Sequence, residues 1–185
     1  IIHINILKGG HELIQVSDDG CGMDKENLKL AFQRHATSKI RNLNDLSNIN
    51  TLGFRGEALP SIASVSMFTA YSSETDSDGY EIKINGGVEQ SFKPASGLAG
   101  TTCKINNLFF NTPARRKFLK KPENEQAMIL STMRRFMISR PNIEFKMLSN
   151  DKIVYDLPSQ TLTQRIGAIY GSTYERGILP VDLSK

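Results

Sequence analysis

Two short glycine-punctuated stretches hold the residues of this chain whose types and spacing suit chemistry. The first is Asp18-Asp19-Gly20-Cys21-Gly22 and the second is Gly53-Phe54-Arg55-Gly56-Glu57-Ala58-Leu59. Glycines let backbone N–H groups come close to phosphate oxygens. A carboxylate such as Asp18 can accept a hydrogen bond from the amine of an adenine ring. The second stretch runs into a helix, whose first turn offers free N–H groups and partial positive charge to a phosphate. Arg55 can add a charge-assisted contact. The chain contains no Gly-x-x-x-x-Gly-Lys-Ser/Thr loop, so any nucleotide site must use another architecture. Each stretch also has a plainer reading. Asp18 or Asp19 can accept turn N–H groups in an Asx turn, and Arg55 and Glu57 can pair with each other.

Between them, His35-Ala36-Thr37-Ser38-Lys39 offers two hydroxyls and an ammonium, a weaker phosphate-loop signal. His35 itself reads as packed or exposed rather than catalytic. No combination of His, Cys and Asp has metal-ligand spacing, and no serine sits in a nucleophile elbow. Cys21 and Cys103 are expected to be free thiols of a reducing compartment. Net charge is +4, and the densest basic group is Arg115-Arg116-Lys117 with Lys120-Lys121. That group reads as a solvated helix face or a weak nucleic-acid contact.

These residues need elements to position them. At 185 residues, 39% hydrophobic and 23% charged, the chain suits one soluble domain, or one plus part of a second. Its length allows a core without disulfides. No apolar run approaches the roughly 20 residues needed to span a bilayer. The chain opens on Ile1-Ile2-His3-Ile4 without Met, and is expected to be an excised piece whose natural start lies upstream. Ile2, Ile4 and Ile6 alternate with polar residues in a first strand, and Ile14 and Val16 in a second. Asp18 keeps the parity of Ile14 and Val16, so it is expected on the face they bury. Asp24 can cap a helix through Leu28, Ala31 and Phe32. A short helix is conceivable over Leu43, Leu46 and Ile49. Glu57 to Ala63 reads as a helix with Pro60 in its first turn.

Strands are expected at Val65–Tyr71, Tyr80–Ile84 and Val88–Phe92, with Asn85-Gly86-Gly87 as a hairpin turn. Thr101, Cys103 and Ile105 share one face of the next strand. Thr112-Pro113 starts a short helix that Phe118 and Leu119 are expected to anchor to the core. A longer helix runs from Glu123 to Ser139. A hairpin follows, with strands Ile143–Leu148 and Ile153–Leu157 around Asn150-Asp151. A helix over Leu162–Tyr170 ends at Gly171, and Ile178–Leu183 suggests one more strand. Antiparallel hairpins with interspersed helices argue an α+β sandwich.

Five motifs in order resemble the MutL mismatch-repair family. They are Asp18-Asp19-Gly20-Cys21-Gly22-Met23, Arg34-His35-Ala36-Thr37-Ser38-Lys39-Ile40, Thr51-Leu52 leading into Gly53–Leu59, Gly100-Thr101-Thr102, and Asn111-Thr112-Pro113-Ala114-Arg115-Arg116-Lys117-Phe118-Leu119. The resemblance implies a two-layer sandwich of a mixed, mostly antiparallel sheet with helices on one face. This is the Bergerat-type ATP-binding fold shared with DNA gyrase and histidine kinases, here lacking its N-terminal helix. It implies an ATP-binding domain over residues 1–160 and the start of a second, transducer domain over 161–185. Asp18, Gly22, Met23 and Thr101 would form the adenine site. Thr37, Ser38 and Lys39 would lead into a phosphate lid of Gly53, Phe54, Arg55, Gly56, Glu57, Ala58 and Leu59.

The family's water-activating glutamate and its magnesium-holding asparagine precede the first strand found here. The chain alone is therefore expected not to hydrolyse ATP, with ATP and Mg2+ as cofactors of the intact protein. The resemblance further implies partners: a second copy of the protein on ATP binding, the mismatch-recognition protein MutS, a downstream nuclease or helicase, and DNA held weakly and without sequence preference. It implies no membrane contact, and a cytoplasmic or, in a eukaryote, nuclear location. Two rivals stand beside it: a nucleotide-independent DNA-binding or dimerisation module using Arg115–Lys121, and an ATPase fragment of a gyrase-like topoisomerase.

Overall fold

The computed structural model describes residues 1–33, 56–75 and 77–177. Eight strands form one sheet. In chain order they are β1 (Ile2–Leu7), β2 (Leu13–Asp18), β3 (Met67–Ser73), β4 (Gly79–Asn85), β5 (Val88–Ala95), β6 (Gly100–Asn106), β7 (Phe145–Ser149) and β8 (Lys152–Leu157). Across the sheet the order is β5-β4-β3-β6-β2-β1-β7-β8. Only β1 and β7 pair in parallel, Ile2 opposite Phe145; the other neighbours are antiparallel. The helices are α1 (Lys25–Leu30), α2 (Ala58–Ala63), α3 (Pro113–Lys117), α4 (Pro122–Ser139), α5 (Leu162–Tyr170) and α6 (Ser172–Gly177).

The period-2 alternation sets which face is buried. Ile6, Ile14, Ile105, Phe68 and Ile84 stand opposite one another across β1, β2, β6, β3 and β4, so they share one face. Two apolar clusters cover this inner face. One joins Phe68, Ala70, Ile82, Ile84 and Ile105 to Leu28 of α1 and Ala63 of α2. The other joins Ile4, Ile6, Phe145, Met147 and Leu157 to Met137 of α4. The sandwich expected from the motifs is therefore present, with a mixed sheet under helices.

Local signals placed most elements to within two residues. The Asp24 carboxylate accepts from the Asn27 N–H at 2.6 Å and caps α1. Gly86 and Gly87, both with positive φ, make the β4–β5 turn, and Asn150 and Asp151 make the β7–β8 turn in the same region of φ. Thr161 and Gln164 form a reciprocal capping box at the start of α5.

Three expectations need correction. β3 runs from Met67 to Ser73 rather than from Val65 to Tyr71. β5 continues to Ala95 rather than stopping at Phe92, because it stays paired with β4 as far as Gly79. Phe118 does not anchor α3, because its side chain is 87% exposed. The helix is five residues long, little more than one turn, and Phe118 caps its end with the side chain turned to solvent. The expected helix over Leu43–Ile49 and strand over Ile178–Leu183 lie outside the described residues.

Candidate functional site

Asp18 ends β2. Its register partner on β6 is Thr101, and Thr101 stands opposite Ser72 on β3. The three side chains therefore form one rank across three adjacent strands, on the inner face, one step beyond Val16, Cys103 and Ala70. The parity expected of Asp18 is correct, but the burial is not. Val16 is 37% exposed and Asp18 is exposed. The inner face is uncovered here because the two apolar clusters close on either side of it. An aspartate at the edge of an uncovered apolar strip is far less costly than one in a closed core.

The Asp18 carboxylate is half used. Its Oδ1 accepts the Gly20 N–H at 2.9 Å, an Asx turn that holds the group in place. Among the described residues Oδ2 has no partner. Both readings of the aspartate are thus compatible, since one oxygen shapes the turn and the other faces outward as an acceptor. Cys103 lies next to Asp18 on β6. Burial, with Asp18 adding a smaller effect, pushes its thiol up to about 11. Both Cys103 and the exposed Cys21 are free.

Two glycines let the walls approach. Gly22 has φ +69 and a Cβ there would meet the Ser73 carbonyl oxygen at 1.9 Å. Gly100 has φ +113 and a Cβ there would meet the Asp18 carbonyl oxygen at 2.0 Å. Any side chain at either position would push the loop after β2 away from the ends of β3 and β6. The next residue, Met23, donates its N–H to Ser72 Oγ at 2.9 Å. Ser72 Oγ also lies 2.9 Å from Thr101 Oγ1 and 3.1 Å from the Gly100 carbonyl oxygen. Ser72 was not anticipated from the sequence. Its place follows from a register set between residues 28 and 49 positions away, which no local pattern reports.

The second glycine stretch is partly described. Gly56 takes φ +67 at the entry to α2. Glu57 occupies the N-cap position, Ala58 opens the helix, and Leu59 packs half-buried on the same cluster that Met23 touches. Both motif stretches therefore converge on one core cluster. Thr37, Ser38, Lys39, Gly53, Phe54 and Arg55 lie outside the described residues. Among the described residues no group of three or more His, Cys, Asp or Glu could hold a metal. A cleft of about 470 Å³ opens at the same strand ends on the outer face, beside His3, Ser17 and Thr102.

The sequence has known relatives, and the fold recurs among solved structures. The chain is 44% identical over 184 residues to the DNA mismatch repair protein MutL of Geobacter sulfurreducens, covering 99% of this chain and 30% of that protein. It is 45% identical over 187 residues to MutL of Haemophilus influenzae strain PittGG, covering 98% of this chain and again 30% of the relative. The chain belongs to the MutL family. It spans about a third of the length of these relatives. The structure of the Aquifex aeolicus MutL ATPase domain complexed with ADP matches with TM-score 0.71 at 27% identity, over 91% of this chain and 60% of that one. The N-terminal domain of a DNA repair protein matches with TM-score 0.78 at 27% identity, over 98% of this chain and 55% of that one. The matched region is the N-terminal ATPase region of MutL, and the gyrase-like rival loses its ground. No family model matches the chain. Among the described residues no helix is long and apolar enough to cross a membrane.

Proposed function

We propose that this MutL-type chain forms most of an ATP pocket, with the adenine lying on the uncovered inner face at Asp18. The observation that carries the reading is the Asp18 carboxylate: among the described residues one oxygen is pinned by Gly20 and the other has no partner, beside a strip of apolar surface left open between two packed clusters. Asp18 Oδ2 accepts the exocyclic amine. The Thr101 hydroxyl meets the adjacent ring nitrogen directly or through a water. Gly22 and Met23 border the base, whose face covers Val16. Thr37, Ser38, Lys39 and the Gly53–Leu59 stretch close over the phosphates. The residues present fit the nucleotide, since the glycine-cleared walls and open acceptor suit a purine edge. Among the described residues no group of carboxylates, histidines or cysteines could hold magnesium, and no step here runs through Mg2+.

In the whole protein, nucleotide binding would draw a second copy of the N-terminal region against the first. It would thereby couple mismatch recognition by MutS to removal of a strand by a nuclease or helicase. That protein's compartment is taken to be intracellular and reducing. The test of the pocket is Asp18→Asn, which keeps an oxygen for the Gly20 N–H but replaces the free acceptor with a donor. ADP affinity, measured calorimetrically on the full-length protein, is expected to fall at least about 100-fold, as for a charged hydrogen bond lost and a like-polarity pair created. Unchanged affinity in the folded variant rejects the reading.

A second reading has its own observation. Arg115, Arg116 and Lys117 are exposed and make no ion pair among the described residues, and Phe118 projects beside them. Cations around an exposed ring suit weak, sequence-independent contact with DNA.

A further inference from the structure

The two most exposed large apolar side chains among the described residues are Leu98, at 90%, and Phe118, at 87%. They stand at opposite ends of the sheet. β6 starts at Gly100, two residues after Leu98, and runs for seven residues, about 20 Å, before the chain turns into α3 and Phe118. At the far end Asn111 Nδ2, just ahead of α3, donates to the Ser64 carbonyl at 2.9 Å and lies against the Gly86 turn. Neither Leu98 nor Phe118 can therefore cover the other within one molecule. We propose that a second copy of this chain covers both, by seating its Phe118 in the outer-face cleft of the first, beside Leu98.

The cleft suits such a knob. Its volume of about 470 Å³ lies within the roughly 300–1,000 Å³ of small-ligand sites. Leu98, Ala99 and Tyr71 give it an apolar wall, and Ser17 and Thr102 line it from β2 and β6. The Tyr71 ring is fixed in place, because a Cβ at Gly79 or at Gly97 would lie only 2.5 Å from it. A second aromatic ring gains from a wall of this kind through edge or offset contact.

Charge points to the same partner. Arg115, Arg116 and Lys117 precede Phe118, all exposed and without ion pairs among the described residues. Among the described residues no lysine or arginine lines the cleft. Asp18 and Asp19 do line it, and Glu74 and Asp78 stand exposed at the neighbouring strand ends. Asp19 already holds the Ile1 ammonium, so Glu74 and Asp78 are the carboxylates left to meet incoming cations. A basic knob at one end and an acidic cleft at the other attract between copies, whereas like ends repel.

Joining unlike surfaces makes the contact head-to-tail. Each copy can give its knob while receiving another, so assemblies larger than two form as concentration rises. One ring and a few ion pairs make a small interface, below about 1,200 Å², and a transient one. The contact needs no nucleotide, unlike the pairing of N-terminal regions proposed above. It occupies the cations that weak DNA contact would use, so the two exclude each other.

Sedimentation velocity on this chain, without nucleotide or DNA, tests the proposal. The sedimentation coefficient is expected to rise with concentration through the micromolar range. Phe118→Ser removes the knob, and Leu98→Lys sets a cation where the knob would land. Each is expected to weaken association at least about tenfold. Both positions are exposed, and an unchanged thermal midpoint checks that the fold is kept. The deciding arm mixes the two variants. Phe118→Ser still has a cleft and Leu98→Lys still has a knob, so the mixture is expected to form 1:1 pairs and nothing larger. Arg115→Glu with Arg116→Glu is expected to act as Phe118→Ser does. A monomer at every concentration leaves the cleft to another occupant and overturns the proposal. So do full association in any of these variants alone and a mixture that stays monomeric. Association that appears only with ADP is the nucleotide-driven pairing and overturns it as well.

Discussion

At the scale of single residues, the molecule separates its two thiols by how they are solvated. Cys103, inward on β6 beside Asp18, is held well above an ordinary thiol, whereas Cys21 sits exposed three residues after Asp18. The folded chain keeps the Cys103 proton more tightly than the unfolded chain does. The sign follows: this contribution to stability is fully present below about 9, the ordinary thiol value, and is lost as the pH rises through about 11. A urea midpoint that falls across that window, with the fall reduced in Cys103→Ala, is the expected result. At neutral pH iodoacetamide should label Cys21 first and Cys103 slowly, read by peptide mass, since the thiolate is the nucleophile. Equal rates in the folded protein would contradict the burial of Cys103.

At the scale of elements, Arg165 of α5 is the tightest joint. It is fully buried, and burial lowers its affinity for the proton. Its guanidinium donates to the carbonyls of Met137, Pro141, Ile143 and Pro158 at 2.8–2.9 Å and lies over the Phe145 ring. One side chain therefore fastens α5 to the end of α4, to the entry of β7 and to the exit of β8. Among the described residues no carboxylate is involved; four backbone oxygens do the work of a counter-ion. Arg165→Ala should cost about 3 kcal/mol or more in urea unfolding, since it strands several buried acceptors. Arg165→Lys should rescue little, because an ammonium lacks the planar fork. If α5 does begin a second domain at Thr161, this joint couples that domain rigidly to the sheet.

The same scale shows what the sequence could report. Capping at Asp24 and Thr161, the Gly86-Gly87 and Asn150-Asp151 turns, and the parity of β1, β2 and β6 were legible because each is a local signal. The exposure of Asp18 and Val16, the end of β3 at Ser73, and the three-way role of Ser72 were not. They depend on where two core clusters leave the sheet bare and on register between distant strands. Phe118 misled for the opposite reason, since a helix of five residues has too few turns to define a buried face.

For the whole molecule, charge and exposure set what the surface can bind. The basic group around α3 stands clear of the core with a ring beside it, so its reach exceeds that of an anchored helix. DNA binding is expected to be weak and sequence-independent. Replacing Arg115, Arg116 and Lys117 together should lower the slope of log affinity against log salt by at most about three, one per phosphate contact. Replacing Phe118 by Ala should weaken single-stranded more than duplex DNA if the ring stacks on bases. A salt slope unmoved by the triple change would place DNA contact elsewhere.

The parallel pairing of β1 with β7 has a consequence for how the protein is made. Ile2 leaves the ribosome well before its partner Phe145 is synthesised. At about 5–20 residues per second, β1 waits roughly ten seconds with one edge open. Strands β2 to β6, with α1 and α2, have all the packing partners of their cluster once Leu108 is made, so the cluster around Phe68 and Ile82 can close first. The cluster around Ile6 and Met147 must wait for α4 and β7. During that interval the bare edge of β1 is the stretch most open to mispairing with another chain. A nascent chain stalled before Phe145 should therefore be the species that chaperones hold, and one stalled beyond Leu157 should be released.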